Sequence, residues 1–347
     1  MGSRIALNAL ALRPNGSGVQ TYIRELLRVL PGTLPASYDV AVQADALGEV
    51  PPAMVTRARP VVSGAQRAWH GMWGFGAQDL VHGLDVDIPL RNRAPTVITV
   101  HDLSVFDVPW AHSAVRGFGE RLLIRDAVRR ADAIVAVSEF TAQRVEDRFG
   151  RRATVTRLAP SPDMVRPPAE AIERFRDQWA LPAAFVLYVG TVEPRKAIGP
   201  LAEACVAARV PLVIAGSTAR GVQVPTSARR LGYVPQEDLP TLVSAARVLA
   251  YSSYYEGFGL PPVEAMACGT AVVTSPVGSL PEVLGDAAVF VGPTDVAGLA
   301  SAMTELFADD DRHADLVTKG ACRVRAMSWE ETARLTADVY RSLGVVG

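Results

Sequence analysis

The stretch from Glu256 to Gly269 reads EGFGLPPVEAMACG, and it follows an apolar run, Val248–Ser253, that is typical of a buried strand. Pro261 and Pro262 stand where the first turn of a helix tolerates a missing N–H group. The pattern therefore predicts a strand, a loop and a helix. Two carboxylates separated by seven residues belong to this unit, the first on the loop and the second inside the helix.

The junction between this loop and this helix has the chemistry of a phosphate site. Free amides and the positive end of the helix dipole favour an anion, and two glycines let it approach the backbone. We expect Glu264 to accept hydrogen bonds from a ribose diol and Glu256 from the hydroxyls of a second sugar. The pattern predicts a nucleotide-sugar site, although an acidic pair around a helix start also occurs without any function. The predicted backbone contacts come from Gly257, Phe258, Gly259 and Leu260.

Length and composition bound the class of protein. The chain has 347 residues, more than a single core usually supports, so two α/β domains are expected. Its 49% hydrophobic content and net charge of −1 fit neither a disordered chain nor a nucleic-acid-binding protein. Three widely separated cysteines indicate free thiols in a reducing cytoplasm. No window approaches the ~20 apolar residues of a spanning helix, so a soluble protein is expected.

Strand-like apolar runs alternate with helical segments in both halves of the chain, which predicts parallel sheets covered by helices on both faces. The boundary between the halves is predicted at Leu158–Pro168, where four prolines in eleven residues disfavour helix and sheet. The last helix, Trp329–Leu343, has one apolar face. The predicted strands are Ile5–Leu10, Val40–Ala44, Leu80–His82, Val97–His101, Ala133–Ser138, Phe185–Gly190, Leu212–Gly216, Val248–Ser253, Ala271–Ser275 and Ala288–Val291.

Two segments of the first half place polar residues at the carboxyl ends of predicted strands, where α/β sheets bind ligands. Asn15–Gly18 (NGSG) follows the first strand, and a simple tight turn is the alternative interpretation. Thr21 stands where the dinucleotide fingerprint has its third glycine, which argues against a nicotinamide enzyme. Thr96–Asp102 (TVITVHD) ends in His101, for which a structural histidine is the alternative.

The segment Gly190–Lys196 (GTVEPRK) follows a strand in the second half and precedes a helix. Arg195 offers a fork of donors and Lys196 a point charge, and both neutralise the charge that develops as a nucleoside diphosphate departs. A pair of solvated basic residues on a loop is the common alternative.

Together these motifs resemble those of the retaining glycosyltransferases of family 4, which have the GT-B fold and an E-x7-E motif. EGFGLPPVE, GTVEPRK, TVITVHD and VSEFT carry the resemblance, and Ala197 departs from the Gly or Asn often found after the lysine. The resemblance implies an α/β fold of two Rossmann-like domains whose parallel sheets face a central cleft. Residues 1–163 would form an acceptor-binding domain, 164–328 a donor domain, and 329–347 a helix that crosses back to the first domain.

Roles for individual residues follow from the resemblance. It implies that Arg195, Lys196, Glu256 and His101 are catalytic. His101 would contact the transferred sugar, with Asp102 orienting nearby groups on the acceptor side. Ser138 would lie on the acceptor side, although a helix cap is its simpler role. The resemblance further implies donor contacts from Gly16, Gly18, Gly190, Tyr233 and Val234, in addition to Glu264 and the loop described above. No cofactor and no metal are expected: Asp85-Val86-Asp87 is a DxD sequence without its usual surroundings.

The implied reaction moves a hexosyl group from a nucleoside diphosphate sugar, with UDP and GDP among the candidates, to a hydroxyl of an oligosaccharide or natural product, as in antibiotic biosynthesis. Retention would come from departure and attack on one face, and closure about Leu158–Pro168 would assemble the site. The alternatives are a membrane-associated acceptor, a non-catalytic nucleotide-sugar binding subunit and a nucleotide-sugar epimerase. Val115–Arg130 mixes apolar and basic residues, and we interpret it as a domain-surface helix rather than a membrane-binding one.

Overall fold

The computed structural model describes residues 2–14, 16, 18–61 and 64–345. Two compact units make up the chain, one from Met1–Leu158 with Ser328–Gly347 and the other from Ala159–Met327. Each contains a fully parallel sheet with helices in its connections, so the predicted α/β class is confirmed. The sequence analysis assigns residues 159–163 to the first domain and Ser328 to the second. In the structure, residues 159–163 group with the second unit and Ser328 groups with the first.

The first unit has a sheet of seven strands. They are β1 (Arg4–Asn8), β2 (Ser37–Gln43), β3 (Val55–Arg59), β4 (Leu80–Gly83), β5 (Thr96–Val100), β6 (Ala133–Ala136) and β7 (Thr154–Val155). Its helices are α1 (Val19–Thr33), α2 (Gly64–Gly71), α3 (Ser104–Asp107), α4 (Ala114–Arg130), α5 (Glu139–Phe149) and the C-terminal α13 (Trp329–Ser342). The strand order is β3-β2-β1-β4-β5-β6-β7, which reverses direction between β1 and β4.

The second unit has a sheet of six strands. They are β8 (Val186–Val189), β9 (Leu212–Ala215), β10 (Arg229–Gly232), β11 (Val248–Tyr251), β12 (Ala271–Thr274) and β13 (Val289–Phe290). Its helices are α6 (Ala169–Gln178), α7 (Ile198–Ala207), α8 (Leu239–Ala245), α9 (Leu260–Ala267), α10 (Leu280–Leu284), α11 (Val296–Ala308) and α12 (Asp310–Val324). The order β10-β9-β8-β11-β12-β13 reverses between β8 and β11, and such a reversal is where open parallel sheets bind ligands.

The central strands form because their apolar runs are covered on both faces. All residues of β4, β5, β9, β11 and β12 are buried, as expected for strands of a parallel sheet. None of the helices in the described part of the chain combines the length and apolar character needed to cross a membrane.

The sequence analysis missed three edge strands, β3, β7 and β10. β3 (VTRAR) and β10 (RRLG) carry arginines, and β3 is largely exposed whereas β10 exposes its two arginines, while β7 has only two residues. An edge strand with one solvated side lacks the apolar run that marks a buried strand. The short acidic run Asp309–Asp311, for which the sequence favours a solvated turn between two helices, supplies the start of α12, because Asp309 caps that helix by accepting from the Arg312 amide. The two aspartates that follow begin that helix, where they complement its dipole.

The C-terminal helix α13 belongs to the first unit, where it packs against α1. Ser328 caps it by accepting from the Glu331 amide, and one face buries Trp329, Ala333 and Tyr340 completely or almost so. Thr332 also donates a hydrogen bond to the Arg157 carbonyl. The helix is therefore anchored along its length by packing and at its start by polar contacts.

A buried chain of hydrogen bonds joins α13 to the sheet of the first unit. His82 Nδ1 lies 2.5 Å from the Tyr340 hydroxyl, and His82 Nε2 lies 2.9 Å from the Thr99 hydroxyl, which in turn contacts the Tyr22 hydroxyl at 2.8 Å. Burial lowers the pKa of His82 to about 3. The ring is therefore neutral at neutral pH, so one of its nitrogens donates and the other accepts.

Substitution Tyr340→Phe tests this chain of hydrogen bonds. It leaves a buried nitrogen of His82 without its partner, which costs about 1–3 kcal/mol. We expect a lower Tm for the first unit and faster amide hydrogen exchange in α13. Tyr233→Phe is the matched control, because the Tyr233 side chain is 55% exposed. Equal stability of the two variants would show that the Tyr340 hydroxyl contributes nothing.

Candidate active site

Two loops of the second unit meet at the point where its strand order reverses. The loop after β8 leads into α7, and the loop after β11 leads into α9. Backbone hydrogen bonds fasten them together: the Tyr254 amide donates to Arg195 O at 2.9 Å, and the Ala197 amide donates to Ser252 O at 3.1 Å. These backbone hydrogen bonds hold the GTVEPRK and EGFG segments, which are far apart in sequence, in a fixed relative position.

A buried ion pair lies at the centre of this junction. Lys196 Nζ donates to Glu256 Oε1, and Arg195 Nη1 lies 3.6 Å from Glu256 Oε2. The Lys196 residue is only 7% exposed and Glu256 only 5%. The structure therefore brings together three of the four residues predicted to be catalytic.

The two partners of the pair depend on each other for their charge. Burial opposes ionisation of Glu256, but Lys196 and Arg195 more than compensate and hold the pKa of this carboxyl below its usual value. Burial likewise lowers the pKa of Lys196, and Glu256 opposes that shift. Removing one charge would leave the other desolvated, which is why breaking a buried pair is costly.

Tyr251 is a site residue that the sequence analysis missed. Lys196 Nζ donates to the Tyr251 hydroxyl at 2.7 Å and lies 4.4 Å from the centre of its ring. The Tyr188 ring stacks with the Tyr251 ring at a centroid distance of 6.2 Å. Tyr251 lies within the run VLAYSS and was therefore interpreted as a strand residue. Its hydroxyl at the end of β11 is the signal that could have identified it. An ammonium has three N–H groups, and two of those on Lys196 are directed by Tyr251 and Glu256.

Arg195 is held less tightly to the pair than Lys196. Its guanidinium donates to the Tyr255 carbonyl at 2.9 Å and to Glu193 Oε1 at 2.9 and 3.2 Å. Glu193 thus occupies the fork of donors that the sequence analysis assigned to a diphosphate. It stands two residues before Arg195 in the same GTVEPRK segment, and the sequence analysis gave it no role.

Helix α9 begins at Leu260 and presents a free N-terminus. Gly259 precedes it with a φ of 91°, a left-handed conformation that glycine adopts without strain, and no side chain caps the helix. Pro261 and Pro262 lie in the first turn as predicted. The side chains of Phe258 and Leu260 are buried in the unit, so these residues can offer a ligand only their backbone.

Glu264 lies in the second turn of α9 and is half-buried. Its carboxylate has no hydrogen bond or ion pair with any of the described residues. Burial raises the pKa of Glu264 to about 7. A carboxylate that is desolvated and unpaired is costly to keep, and such groups are concentrated at binding sites.

Close backbone contacts surround the junction. A Cβ atom on Gly216 would lie 2.2 Å from the carbonyl oxygen of Gly190, whose own φ is 139°. A Cβ on Gly278 would lie 2.2 Å from the Glu256 carbonyl, which accepts from the Ser279 amide. Only glycine fits at either place. Gly278 and Ser279 were not predicted as site residues. They follow β12 in the sequence, and no local pattern there indicates a contact with Glu256.

The other donor contacts predicted in the second unit follow the edge strand β10. Tyr233 is exposed, and Val234 is buried. Their predicted role rests on their place at the carboxyl end of β10.

The residues predicted in the first unit also lie at carboxyl ends of strands. His101 follows β5, donates from Nε2 to the Leu84 carbonyl at 2.9 Å, and packs edge-on against Tyr22 at 4.9 Å. Asp102 accepts from the Ser104 amide at 2.8 Å. Ser138 is a helix cap, since it accepts from the Thr141 amide at 3.0 Å at the start of α5.

The glycine turn before α1 is described only in part. Gly18 precedes the helix with a φ of 67°, and no side chain caps the helix. A Cβ on Gly16 would collide with the Gln20 side chain at 2.5 Å. Asn15 and Ser17, the other residues of the predicted NGSG turn, lie outside the described residues.

Both aspartates of the DxD sequence form ion pairs with Arg67, a residue of the same unit. Arg67 lies 3.3 Å from Asp85 Oδ2 and 3.0 Å from Asp87 Oδ2. Burial and the neighbouring Asp85 raise the pKa of Asp87 to about 6, and Arg67 opposes that shift. Within residues 2–14, 16, 18–61 and 64–345, no group of three or more His, Cys, Asp or Glu side chains is placed to hold a metal ion.

Comparisons with known proteins agree with this architecture. A family model described as Glycosyltransferase Family 4 matches residues 16–161, and one described as Glycosyl transferases group 1 matches residues 170–322. An O-antigen chain mannosyltransferase B from Escherichia coli is 35% identical over 289 residues, which are 76% of this chain and 74% of that protein. Three further mannosyltransferases of the same organism are longer, and the chain spans 28–38% of their length.

Solved structures show the same fold. A sucrose-phosphate synthase from Thermosynechococcus elongatus matches with a TM-score of 0.79 and 24% identity, over 98% of this chain and 99% of that one. HepE from Anabaena, solved with UDP and glucose, matches with a TM-score of 0.78 and 18% identity, over 98% and 100%.

A double-mutant cycle tests the buried ion pair. We expect Lys196→Met to cost the second unit about 3–5 kcal/mol, because the more distant Arg195 is then the cation that compensates the buried Glu256 charge. Combining it with Glu256→Gln removes the orphaned charge, so the double variant should be more stable than the sum of the single effects predicts. Denaturant unfolding of the four proteins measures the coupling.

The exposed pair Glu331–Arg334 on α13, joined at 2.7 Å, provides the control cycle. Its effects should be small and close to additive, since solvent screens an exposed pair. Additive effects at Lys196 and Glu256 as well would mean that the buried pair is not coupled.

Proposed function

The chain belongs to the family 4 glycosyltransferases, and we propose that it transfers a mannosyl group from a nucleoside diphosphate sugar to an acceptor hydroxyl, with retention and without a metal ion. The choice of mannose among hexoses rests on the 35% identity to the Escherichia coli mannosyltransferase. For the acceptor we keep the oligosaccharide or natural product suggested by the sequence analysis.

The observation that carries the proposal is the third N–H group of Lys196. This ammonium is buried, two of its N–H groups are directed to Tyr251 and Glu256, and none of the described residues accepts from the third. A buried donor without an acceptor is costly, and a phosphate oxygen is a strong acceptor for it. The open N-terminus of α9 follows Glu256 by four residues and offers amides to the same kind of anion.

Glu264 supports the nucleotide half of the proposal. Its half-buried carboxylate has two oxygens available to the vicinal hydroxyls of a ribose, and the described residues offer it no competing donor. Because burial disfavours its charge, a ligand that donates two hydrogen bonds would recover the lost solvation. The carboxylate is then an acceptor that becomes satisfied only when the donor sugar is bound.

The proposed chemistry is the departure of the nucleoside diphosphate. As the bond between the anomeric carbon and the phosphate oxygen breaks, negative charge grows on that oxygen, and Lys196, Arg195 and the α9 amides stabilise it. Two protein cations with helix amides supply the compensation that a divalent metal gives in other enzymes, which supports a metal-independent reaction. Arg195 must exchange Glu193 for the phosphate in order to contribute.

Retention is proposed to occur through attack on the face that the leaving group has just vacated. The acceptor oxygen bonds to the anomeric carbon, and its proton passes to the departing phosphate oxygen. A carboxylate nucleophile on the opposite face would be the alternative. Glu256 is a poor candidate for that role because Lys196 and Arg195 engage both of its oxygens. The roles predicted for Gly16, Gly18, His101, Asp102 and Ser138 stay predictions.

A transfer assay with purified protein tests the proposal directly. GDP-mannose, GDP-glucose, UDP-glucose and UDP-mannose are offered with manno-oligosaccharide acceptors, with and without a chelator. We expect mannosyl transfer that the chelator leaves unchanged, and an α linkage by NMR from an α-configured donor. A β linkage would refute retention, loss of activity with the chelator would refute metal independence, and no release of nucleotide from any donor would sink the function itself.

Glu264 generates a prediction with a defined pH dependence. Glu264→Gln should weaken nucleotide binding roughly tenfold or more above pH 7, since charge-assisted hydrogen bonds to the ribose are lost. In the unaltered protein the affinity should fall as the pH drops through about 7 and the carboxylate takes up a proton. Calorimetric titration of both proteins between pH 5 and 9 separates this change from titration of the phosphate, which both share.

The same variant should affect the ligand-free protein in the opposite direction. The pKa of about 7 in the folded protein lies above the ordinary glutamate value of 4.5, so the stability of the second unit falls as the pH rises between these values. Glu264→Gln should therefore raise the Tm at pH 8 and change it little at pH 4.5. The exposed Glu203 on α7 provides the control variant Glu203→Gln. A lower Tm for Glu264→Gln at pH 8 would show that the carboxylate is satisfied within the protein.

A further inference from the structure

A tight turn within the GTVEPRK segment fixes an acidic side chain beside the two cations of the candidate site. The Lys196 amide donates to the Glu193 carbonyl at 2.9 Å, and Pro194 stands at the second position of the turn, where its fixed φ is favoured. The residue before the turn is also held, because the Val192 amide donates to Ser217 O at 2.8 Å. Hydrogen bonds therefore restrain the backbone on both sides of the Glu193 side chain.

Glu193 binds Arg195 through a single carboxylate oxygen. Glu193 Oε1 accepts from Arg195 Nη2 at 2.9 Å and from Arg195 Nε at 3.2 Å. A carboxylate and a guanidinium bind most strongly when two oxygens accept two parallel hydrogen bonds. The contact through one oxygen is weaker than that arrangement, so a ligand with several anionic oxygens can compete with it for Arg195.

The partners of Arg195 differ in how easily a ligand can displace them. The Glu193 side chain is 32% exposed, whereas the Glu256 side chain is only 7% exposed. Glu256 is also bound by Lys196. The Tyr255 carbonyl, which accepts from Arg195 Nη1 at 2.9 Å, belongs to the backbone. An entering anion can therefore replace Glu193 at the guanidinium while these other contacts remain.

The charges of this group of side chains balance in the ligand-free protein. Arg195 and Lys196 are positive, and Glu193 and Glu256 are negative. A diphosphate that enters a neutral group of charges gains little net attraction, and the carboxylate of Glu193 repels it. The attraction becomes substantial when the Glu193 side chain leaves Arg195 and turns to solvent. Binding of a diphosphate therefore includes the cost of breaking the contact between Glu193 and Arg195.

We propose that Glu193 is a positioning residue that competes with the diphosphate for Arg195 and so limits how tightly the site holds a nucleoside diphosphate. The inference rests on the proposed transfer reaction and gives a role to a residue that this reaction does not otherwise use. Phosphate oxygens replace Glu193 at Arg195 when the donor binds. After transfer Glu193 returns to the guanidinium and promotes release of the nucleoside diphosphate, a step that limits turnover in many enzymes.

Calorimetric titration with GDP, UDP and inorganic pyrophosphate tests this competition. Glu193→Gln keeps the size of the side chain and removes its charge. We expect this variant to bind these ligands roughly three- to tenfold more tightly than the unaltered protein, because a neutral amide competes less well for a guanidinium than a carboxylate does. Glu193→Asp retains a charged competitor, so its affinities should stay closer to those of the unaltered protein.

A double-mutant cycle determines whether the effect acts through Arg195. In the Arg195→Gln background, Glu193→Gln should change the affinities by less than about twofold, since the group for which Glu193 competes is gone. Glu203→Gln is the matched control, because it removes an equal charge from an exposed position on α7 in the same unit. This control should bind all three ligands as the unaltered protein does. Circular dichroism verifies that each variant is folded.

The transfer assay supplies a readout that distinguishes competition from a simple structural role. In Glu193→Gln, the inhibition constant of the released nucleoside diphosphate should fall by the same factor as its dissociation constant, and the KM for the donor should fall with it. If Glu193 merely oriented Arg195 toward the phosphate, the same substitution would raise both constants.

Unchanged or weaker binding of the three ligands by Glu193→Gln would overturn the inference. Equal tightening in the Arg195→Gln background, or in Glu203→Gln, would overturn it as well, and so would the absence of any binding by the unaltered protein. Failure of the proposed function has a different signature, because the titrations require neither a sugar nor an acceptor. A chain that binds GDP or UDP and releases no nucleotide from any sugar donor would refute the function, while the titrations would still test the competition at Arg195.

Discussion

The second unit is organised around one buried charge pair. Lys196 and Glu256 arrive from loops sixty residues apart in sequence, and the charge of each opposes the shift that burial imposes on the pKa of the other. This mutual dependence fixes the relative position of the two loops, and with it the start of α9 and the carbonyl that Gly278 and Ser279 approach. A neutral pair of the same shape could hold the loops, but it would have no ammonium to offer a phosphate. The Lys196–Glu256 ion pair therefore stabilises the local fold and also forms part of the candidate site.

The first unit has the same kind of strand-order reversal, but the contacts described around His101 are uncharged. Its strand order also reverses, between β1 and β4, and His101 lies at the adjoining strand β5 with its Nε2 hydrogen committed to the Leu84 carbonyl. Around it the contacts are aromatic and hydroxylic rather than ionic: Tyr22, Thr99, His82 and Tyr340 form one hydrogen-bonded chain. Such a neutral surround suits the contact to a sugar hydroxyl predicted for His101, whereas the ionic surround of Lys196 suits an anion.

The sequence correctly predicted elements that a local or repeated pattern marks. It missed exposed strands and contacts between residues that are far apart in sequence. Central strands such as β5 and β11 were found because burial on both faces demands apolar runs, while β3 and β10, at sheet edges, carry arginines and gave no such run. The spacing of Glu256 and Glu264 placed them on loop and helix correctly. It could not show that Lys196 is buried, because that depends on Tyr251 from another strand. His82 is another such case, since its partner Tyr340 is 258 residues away.

The contact between Gly216 and Gly190 has a consequence for how this enzyme can evolve or be engineered. Because a Cβ on Gly216 would lie 2.2 Å from the Gly190 carbonyl oxygen, no side chain can be introduced there without moving a strand end of the second unit. The neighbouring residues Thr191 and Ser217 are exposed, and their hydroxyls lie 3.2 Å apart, so their side chains can vary without that collision. A library that randomises this pair and keeps both glycines would search the part of sequence space that the backbone leaves open.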